Sequence, residues 1–280
     1  MLKENLDLGI AYASSPLLEG IDSISHGFLT RLGGVSPAPF ASLNFDTRDG
    51  DSHTNTEQNR ALVAKLLGFD TNRLLTMNQV HGSNVLTIDK PVNDISFTGL
   101  SKISADAIIT NQCGIAIGVL TADCVPILLL DPVKKVIGIV HAGWRGTVKG
   151  VVQKAIDAMV KQFDTDKQTI LAAIGPSIGP CCYKVDEVVI TELGVLAPDK
   201  GIRGQGSGFG VAEFIKKQDN TWKLDLKKAN FVQMLDIGLL EKNIAVEDFC
   251  TSCRNDIFFS YRKDGKVTGR QLNFVMMKGI

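Results

Sequence analysis

The chain has 280 residues, 44% of them hydrophobic and 21% charged, with 30 basic residues against 30 acidic ones. That length supports a large core, and a net charge of zero excludes the global basic field of a nucleic-acid binder and the acidic tail that would seek a basic partner. No run approaches the ~18 apolar residues that cross a bilayer, the N-terminus has no secretory pattern, and six scattered cysteines make no disulfide framework, so a soluble cytoplasmic protein acting on small molecules is expected.

In chain order, Ser25 to Arg31 reads as a strand and Gly33-Gly34-Val35-Ser36-Pro37 as a turn. Asn55 begins a helix with Gln58 as capping-box partner. Leu62, Val63, Leu66 and Leu67 form its apolar stripe and Gly68 stops it. Strand-like runs follow at Leu74 to Val80, Asn84 to Ile88, Ala105 to Thr110, Ile115 to Thr121, Ile127 to Leu130 and Val136 to Val140. The last three are nearly continuous in apolar residues, as for strands covered on both faces. Thr147 to Phe163 keeps helical spacing throughout, and Ile170 to Ile174 is a further buried strand. Helices over about Asp186 to Leu196 and Leu226 to Leu240 frame a glycine-rich loop, Gly201 to Gly210. That loop lacks the GxxxxGK[ST] pattern of a phosphate cradle. Val246 to Cys250, Ile257 to Arg262 and Arg270 to Met276 read as closing strands. With no internal repeat and no long linker, the expectation is a single α/β (α+β) domain over residues 1–280, with mixed β-sheets flanked by helices in a layered sandwich.

Three short motifs sit where strands should end: Gln79-Val80-His81-Gly82, Ala122-Asp123-Cys124-Val125-Pro126 and His141-Ala142-Gly143-Trp144-Arg145-Gly146. Each contributes one soft or borderline metal ligand. Two imidazoles and a thiolate are one short of a closed structural zinc site and leave a position for water or substrate, the arrangement of catalytic zinc. Their wide separations require tertiary convergence. Read singly, His81 is an exposed turn residue, Cys124 a small buried hydrophobe, and Asp123 a turn cap, a partner behind the ligands or a proton carrier. Arg145, beside glycines at a helix start, suits an anion, or else a surface ion pair. Trp144 either stacks on a planar ligand or covers the core. Cys250-Thr251-Ser252-Cys253 is half a zinc ribbon without its other half, and Cys181-Cys182 reads as one buried and one exposed thiol. No second metal site is expected.

Taken together, these motifs resemble the bacterial purine nucleoside phosphorylases first described as multicopper polyphenol oxidases, also called laccase-domain proteins or peptidoglycan editing factors. The likeness covers nearly the whole chain. It runs from Arg31-Leu32-Gly33-Gly34-Val35-Ser36, Ser42-Leu43-Asn44 and Asn59-Arg60 through the three ligand motifs. It continues through Gly175 to Pro180 with Cys182-Tyr183, Asp225-Leu226, Cys250-Thr251, Phe258 to Arg262 and Thr268-Gly269-Arg270. Lys263, where the family commonly repeats arginine, and Cys253 depart from the pattern.

The resemblance implies a catalytic metal on His81, Cys124 and His141. It also implies phosphorolysis of adenosine, inosine, guanosine and methylthioadenosine, and hydrolytic deamination of adenosine. The older assignment is copper-dependent oxidation of phenols. Three ligands with an open position suit Zn2+, with Cu2+ as the alternative. A coupled copper cluster would have to recruit His26 and His53 and still lack ligands, because the chain has only four histidines. Arg145, Arg60 and Arg262 are candidates to hold phosphate, and Asn44 joins them as a substrate-binding candidate. The other readings are a hydrolase with Cys124 as nucleophile and His141 or His81 as base, and a binding factor for wall synthesis.

Overall fold

A computed structural model describes residues 2–5, 9–68, 70–91, 102–193, 213–218 and 221–279. The strands are, in order, β1 Leu2–Asn5, β2 Ile10–Ala13, β3 Ile24–Leu29, β4 Leu74–Leu75, β5 Val85–Ile88, β6 Ala107–Thr110, β7 Ala116–Thr121 and β8 Val125–Asp131. They continue with β9 Val136–Ala142, β10 Leu171–Ile174, β11 Lys184–Val185, β12 Ile215–Gln218, β13 Thr221–Leu224, β14 Ile244–Val246 and β15 Gln271–Met277. They form two six-stranded sheets, β1-β2-β3-β15-β7-β4 and β14-β10-β8-β9-β6-β5, and a small sheet β11-β13-β12. Both large sheets mix parallel and antiparallel pairs.

The two large sheets pack face to face. Phe28, Ile117, Val119 and Val275 of the first meet Ile108, Leu128, Ile137 and Ile139 of the second in one buried cluster. The outer face of the second sheet, with Ile109, Ile127, Leu129 and Val140, is covered by Val151, Val152, Ala155, Ile156 and Met159 of the helix Val151–Phe163. The outer face of the first, with Leu29, Leu272 and Phe274, is covered by Val63 of the helix His53–Leu67. The result is a helix–sheet–sheet–helix sandwich, the expected layered α/β fold. It explains the continuous apolar runs of β8 and β9: every residue of both strands is buried.

Several element boundaries differ from the sequence reading. The first helix begins at His53, and its cap is Ser52, whose side chain accepts from the Asn55 amide; Gly68 closes it in the left-handed conformation, as expected. The predicted helix over Thr147 to Phe163 is two helices, Trp144–Val148 and Val151–Phe163, because Gly150 takes φ +69° and breaks the ladder while the apolar stripe continues. The helix from Leu226 stops at Asp236, just before Gly238 at φ +106°. The strand from Leu74 ends at Leu75, an isolated bridge pairs Asn78 with Ser104, and the Gln79 amide takes up the neighbouring strand. Its Nε2 donates to the Leu120 carbonyl (2.8 Å) and its Oε1 accepts from the Leu120 amide (2.7 Å).

Ile257 to Arg262 is not a strand. Successive turns from Cys250 bury Phe258 and Phe259, and Ser260 then caps the short helix Tyr261–Asp264. A short apolar run does not by itself distinguish these alternatives. The pairing expected over Val246 to Cys250 falls at β14 and an isolated Ser177–Cys250 bridge. The helix predicted from Asp186 spans Glu187–Glu192, and its extension to Leu196, like the loop Gly201 to Gly210, lies outside the described residues. No helix among the described residues is long and apolar enough to cross a membrane.

One half-buried histidine gives the fold an acid-sensitive contact. His26 Nε2 accepts a hydrogen bond from the Ser15 amide (3.1 Å), which requires the neutral ring, and burial brings its pKa down to about 4. Its contribution is therefore complete above the unfolded value near 6.5. It is lost as pH falls through the interval down to about 4, with an upper bound of about 3 kcal/mol. Denaturant unfolding of His26→Gln across that interval should show a flatter pH slope than the parent. Identical slopes would remove His26 as the cause.

Candidate metal centre and cleft

Strand register brings the three motifs together. In the β8–β9 pair Val125 lies opposite Ala142 and Pro126 opposite His141, so Cys124, one residue before β8, sits beside the end of β9. β6 runs antiparallel to β9, which puts Asp106 at the same edge, and the His141 amide donates to the Asp106 carbonyl (2.7 Å). β5 runs parallel to β6, which brings the preceding His81-Gly82 turn to that edge as well. His81 itself has φ +56°.

The possible metal-binding atoms of His81, Cys124 and His141 all lie within 4.8 Å of one another. Cys124 Sγ is 3.9 Å from His81 Nε2, and the imidazole centroids are 4.9 Å apart. A tetrahedral zinc with Zn–S near 2.3 Å and Zn–N near 2.0–2.1 Å spaces such donors about 3.3–3.6 Å apart, so small rotations suffice to close on an ion. His81 is exposed, Cys124 half-buried, and His141 buried within β9 rather than on a loop.

Asp106 organises this arrangement. Its Oδ1 lies 2.8 Å from His141 Nδ1 and accepts from the His81 amide (3.0 Å), while Oδ2 accepts from the Gly82 amide (2.6 Å). With Nδ1 engaged, His141 presents Nε2 to an ion, the carboxylate–histidine arrangement behind many metal sites. Burial pushes the Asp106 carboxyl up, but His141 and the turn amides outweigh it and hold it below the usual range. Burial likewise pushes the Cys124 thiol up, yet the His141 charge and both imidazole hydrogen bonds bring it down to about 6. His141 rises to about 9: burial opposes its charge, and the Cys124 thiolate and Asp106 overcome that. These neighbours favour the Cys124 thiolate, which is the form that binds metal.

His81, Cys124 and His141 line a cleft of about 470 Å³. Arg145 borders it with its guanidinium 4.3 Å from the Trp144 ring, and Arg262 lies 5.1 Å from the Tyr183 ring. Arg48, which sequence reasoning passed over, and Arg270, which it quoted only within a family motif, border it too.

Against this geometry, the chain matches the family described as multi-copper polyphenol oxidoreductase laccase over residues 25–278. The chain belongs to that family. A purine nucleoside phosphorylase of Geobacillus stearothermophilus, YlmD, is 35% identical over 252 residues, 89% of this chain and 88% of the relative. A purine nucleoside phosphorylase of Streptomyces coelicolor is 35% identical over 257 residues, 92% of this chain and 97% of the relative. The crystal structure of the G. stearothermophilus YlmD superposes with a TM-score of 0.86 at 30% identity, covering 99% of both chains. The family's fold is therefore this chain's fold, and relatives named as enzymes support an enzyme here.

Two of the sequence-stipulated binding residues of this laccase-family chain stand apart from the cleft lining. Arg60 donates to Thr76 Oγ1 (3.1 Å) and pairs with Glu57, held there by the helix His53–Leu67. Asn44 is fully buried: its amide donates to the Asp46 carbonyl and to Asp51 Oδ2, and its Oδ1 accepts from the Arg270 amide. Asn44 thus positions the Asp46–Arg48 ion pair and Arg270 from behind, rather than touching the cleft. The anion site expected at the helix after Gly146 also shifts: the helix there begins at Trp144, and the Thr147 amide is used by the Gly143 carbonyl (2.9 Å). Asp123 ties two segments together, accepting from Thr251 Oγ1 (2.6 Å) and from the Arg262 amide (2.7 Å).

Sequence reasoning missed Asp106. The signal was present as an acid between Ala105 and Ala107 at the mouth of a fully buried strand, where a charge needs a partner.

Gly143 shows how tightly the centre is packed. A Cβ there would stand 2.9 Å from Cys124 Sγ and 3.0 Å from His81 Cδ2. Gly143→Ala should therefore push both donors apart and weaken metal binding about tenfold or more while melting within a few degrees of the parent. Unchanged affinity in a chelator competition titration would show that the donors accommodate the methyl group.

Proposed function

We propose that the chain is a zinc-dependent purine nucleoside enzyme. It cleaves adenosine, inosine, guanosine and methylthioadenosine with phosphate to the base and (methylthio)ribose 1-phosphate, and it deaminates adenosine to inosine with water. The observation that carries this reading is the convergence of His81, Cys124 and His141 in the wall of an arginine-bordered cleft. The full-length similarity to relatives named purine nucleoside phosphorylase supports it.

His81, Cys124 and His141 would hold the ion, which when bound supplies Lewis acidity at neutral pH and an open coordination position. In phosphorolysis a phosphate oxygen bonds to the anomeric carbon of the sugar as the glycosidic C–N bond breaks, and the purine leaves with the electron pair and takes a proton. Arg145, Arg48, Arg262 and Arg270 border the cleft and would share the phosphate charge, and the Trp144 and Tyr183 rings would offer flat faces to a base. Incubation with adenosine, with and without phosphate, tests the reading. Adenine and ribose 1-phosphate should form only with phosphate, and inosine in either case. Absence of all three products would reject it.

Arg145→Ala should raise the KM for phosphate about tenfold or more, the loss expected for one charge-assisted contact, while sparing deamination, whose nucleophile is water. Equal loss of both reactions would reassign Arg145 to the nucleoside or to the structure.

A second reading has one observation in its favour: the Cys124 thiolate beside a charged His141 is also the pair of a cysteine hydrolase. Such an enzyme would survive chelation and succumb to alkylation, the reverse of a zinc enzyme at limiting alkylation. A multi-copper centre is disfavoured by the donor set, since among the described residues neither His26 nor His53 joins a metal-competent group.

A further inference from the structure

Four cysteines unused by the cleft chemistry come together from two segments about seventy residues apart. The Sγ atoms of Cys181, Cys182, Cys250 and Cys253 all lie within 4.8 Å of one another. Cys253 Sγ stands 3.5 Å from Cys181 Sγ and 3.4 Å from Cys182 Sγ. A disulfide requires about 2.05 Å, and all four are free thiols. Four thiolates about 2.3 Å from one tetrahedral ion lie about 3.8 Å apart, close to the spacing here. The group is also too compact to surround a multi-iron cluster, whose ligands stand around a cage of several atoms rather than a point.

A backbone donor and a cation stand beside the group. The Gly179 amide donates to Cys250 Sγ (3.2 Å), stabilising its charged form. A Cβ on Gly179 would lie 3.3 Å from Cys181 Sγ and 3.6 Å from Cys250 Sγ, so the glycine keeps room at the group's edge. The Lys227 ammonium, buried and held by the Glu247 and Phe249 carbonyls, borders the same cavity as Cys181 and Cys250. With a divalent ion bound, it would offset part of the double negative charge that four thiolates leave, against Asp225 and Asp248, which border the cavity too.

We propose that Cys181, Cys182, Cys250 and Cys253 form a second metal site, a closed four-thiolate site for one zinc ion. Four protein donors leave no open position, so its role is structural. It joins the loop that carries Tyr183 to the turn whose Thr251 holds Asp123, and the Cys182 carbonyl accepts from Arg262 Nη1 (3.3 Å). The ion would therefore brace the side of the cleft that bears Tyr183 and Arg262.

The test is zinc content of the full chain, purified under reducing conditions, loaded with zinc and desalted. The parent should hold two ions, and His81→Ala and Cys253→Ser one each. Cobalt loading should give the intense sulfur-to-metal absorption of a tetrathiolate in His81→Ala and lose it in Cys253→Ser. If Cys253→Ser fails to fold, Cys181→Ser, at an exposed position, replaces it. A parent with one zinc that disappears in His81→Ala overturns the proposal. So does a disulfide within the group, found by mass spectrometry of unreduced protein. Neither result depends on the nucleoside reading, because metal content is measured without turnover.

Discussion

Cys124→Ala and His81→Ala should each abolish nucleoside turnover while leaving the fold intact. Removing one of three donors forfeits the ion's contribution to the transition state, several kcal/mol, and about 4 kcal/mol is already roughly a thousandfold in rate. Little packing is lost in exchange: His81 is exposed on a turn, and Cys124 is half-buried at the cleft wall. Melting temperatures within a few degrees of the parent, together with loss of one metal equivalent and of activity, are the expected joint result. Full activity in either variant would remove that residue from the site.

Asp106→Ala acts on both the metal centre and the fold. The side chain is wholly buried and anchors the His141 ring together with the amides of His81 and Gly82. Losing the partner behind a ligating histidine costs about 10–100-fold in metal affinity. Leaving several buried donors without an acceptor costs about 1–3 kcal/mol each, so the Ala variant should lose about 3 kcal/mol or more of stability. Asp106→Asn keeps the size and one acceptor oxygen, so its zinc affinity should fall between the two. Zinc competition titrations and denaturant unfolding measure both effects. An Asn variant with the parent's affinity and an Ala variant with the parent's stability would show that the strand ends hold the histidines unaided.

Two of the three candidate ligands were legible in the sequence because Cys124 precedes and His141 ends a strong apolar run, and those runs became the buried central strands β8 and β9. Which edge they would share was not legible. It follows from the register that sets Pro126 opposite His141 and Ala107 opposite Val140, and antiparallel register is a tertiary property. Asp106 was hidden for the same reason: its partners lie twenty-four to thirty-five residues away. Motifs that contain Arg60 and Asn44 do not separate residues that border the cleft from residues that stand behind it, since a buried asparagine and a half-buried arginine leave the same mark in a sequence as cleft residues do. The four-cysteine group was obscured by its halves, an adjacent pair and a lone Cys-x-x-Cys, neither of which makes a site alone. The break at Gly150 was visible as a glycine, but the continuing apolar stripe argued for one helix.

Titration of metal-stripped protein with zinc, following ribose 1-phosphate release from inosine and phosphate, tests the central claim most directly. Phosphorolysis should be absent in the stripped protein and return with zinc. It should stay absent in Cys124→Ala at every zinc concentration, and the copper-loaded parent should take up no oxygen with a phenol. Full phosphorolysis by metal-free protein, or by Cys124→Ala, would contradict the claim that His81, Cys124 and His141 work through a bound metal ion.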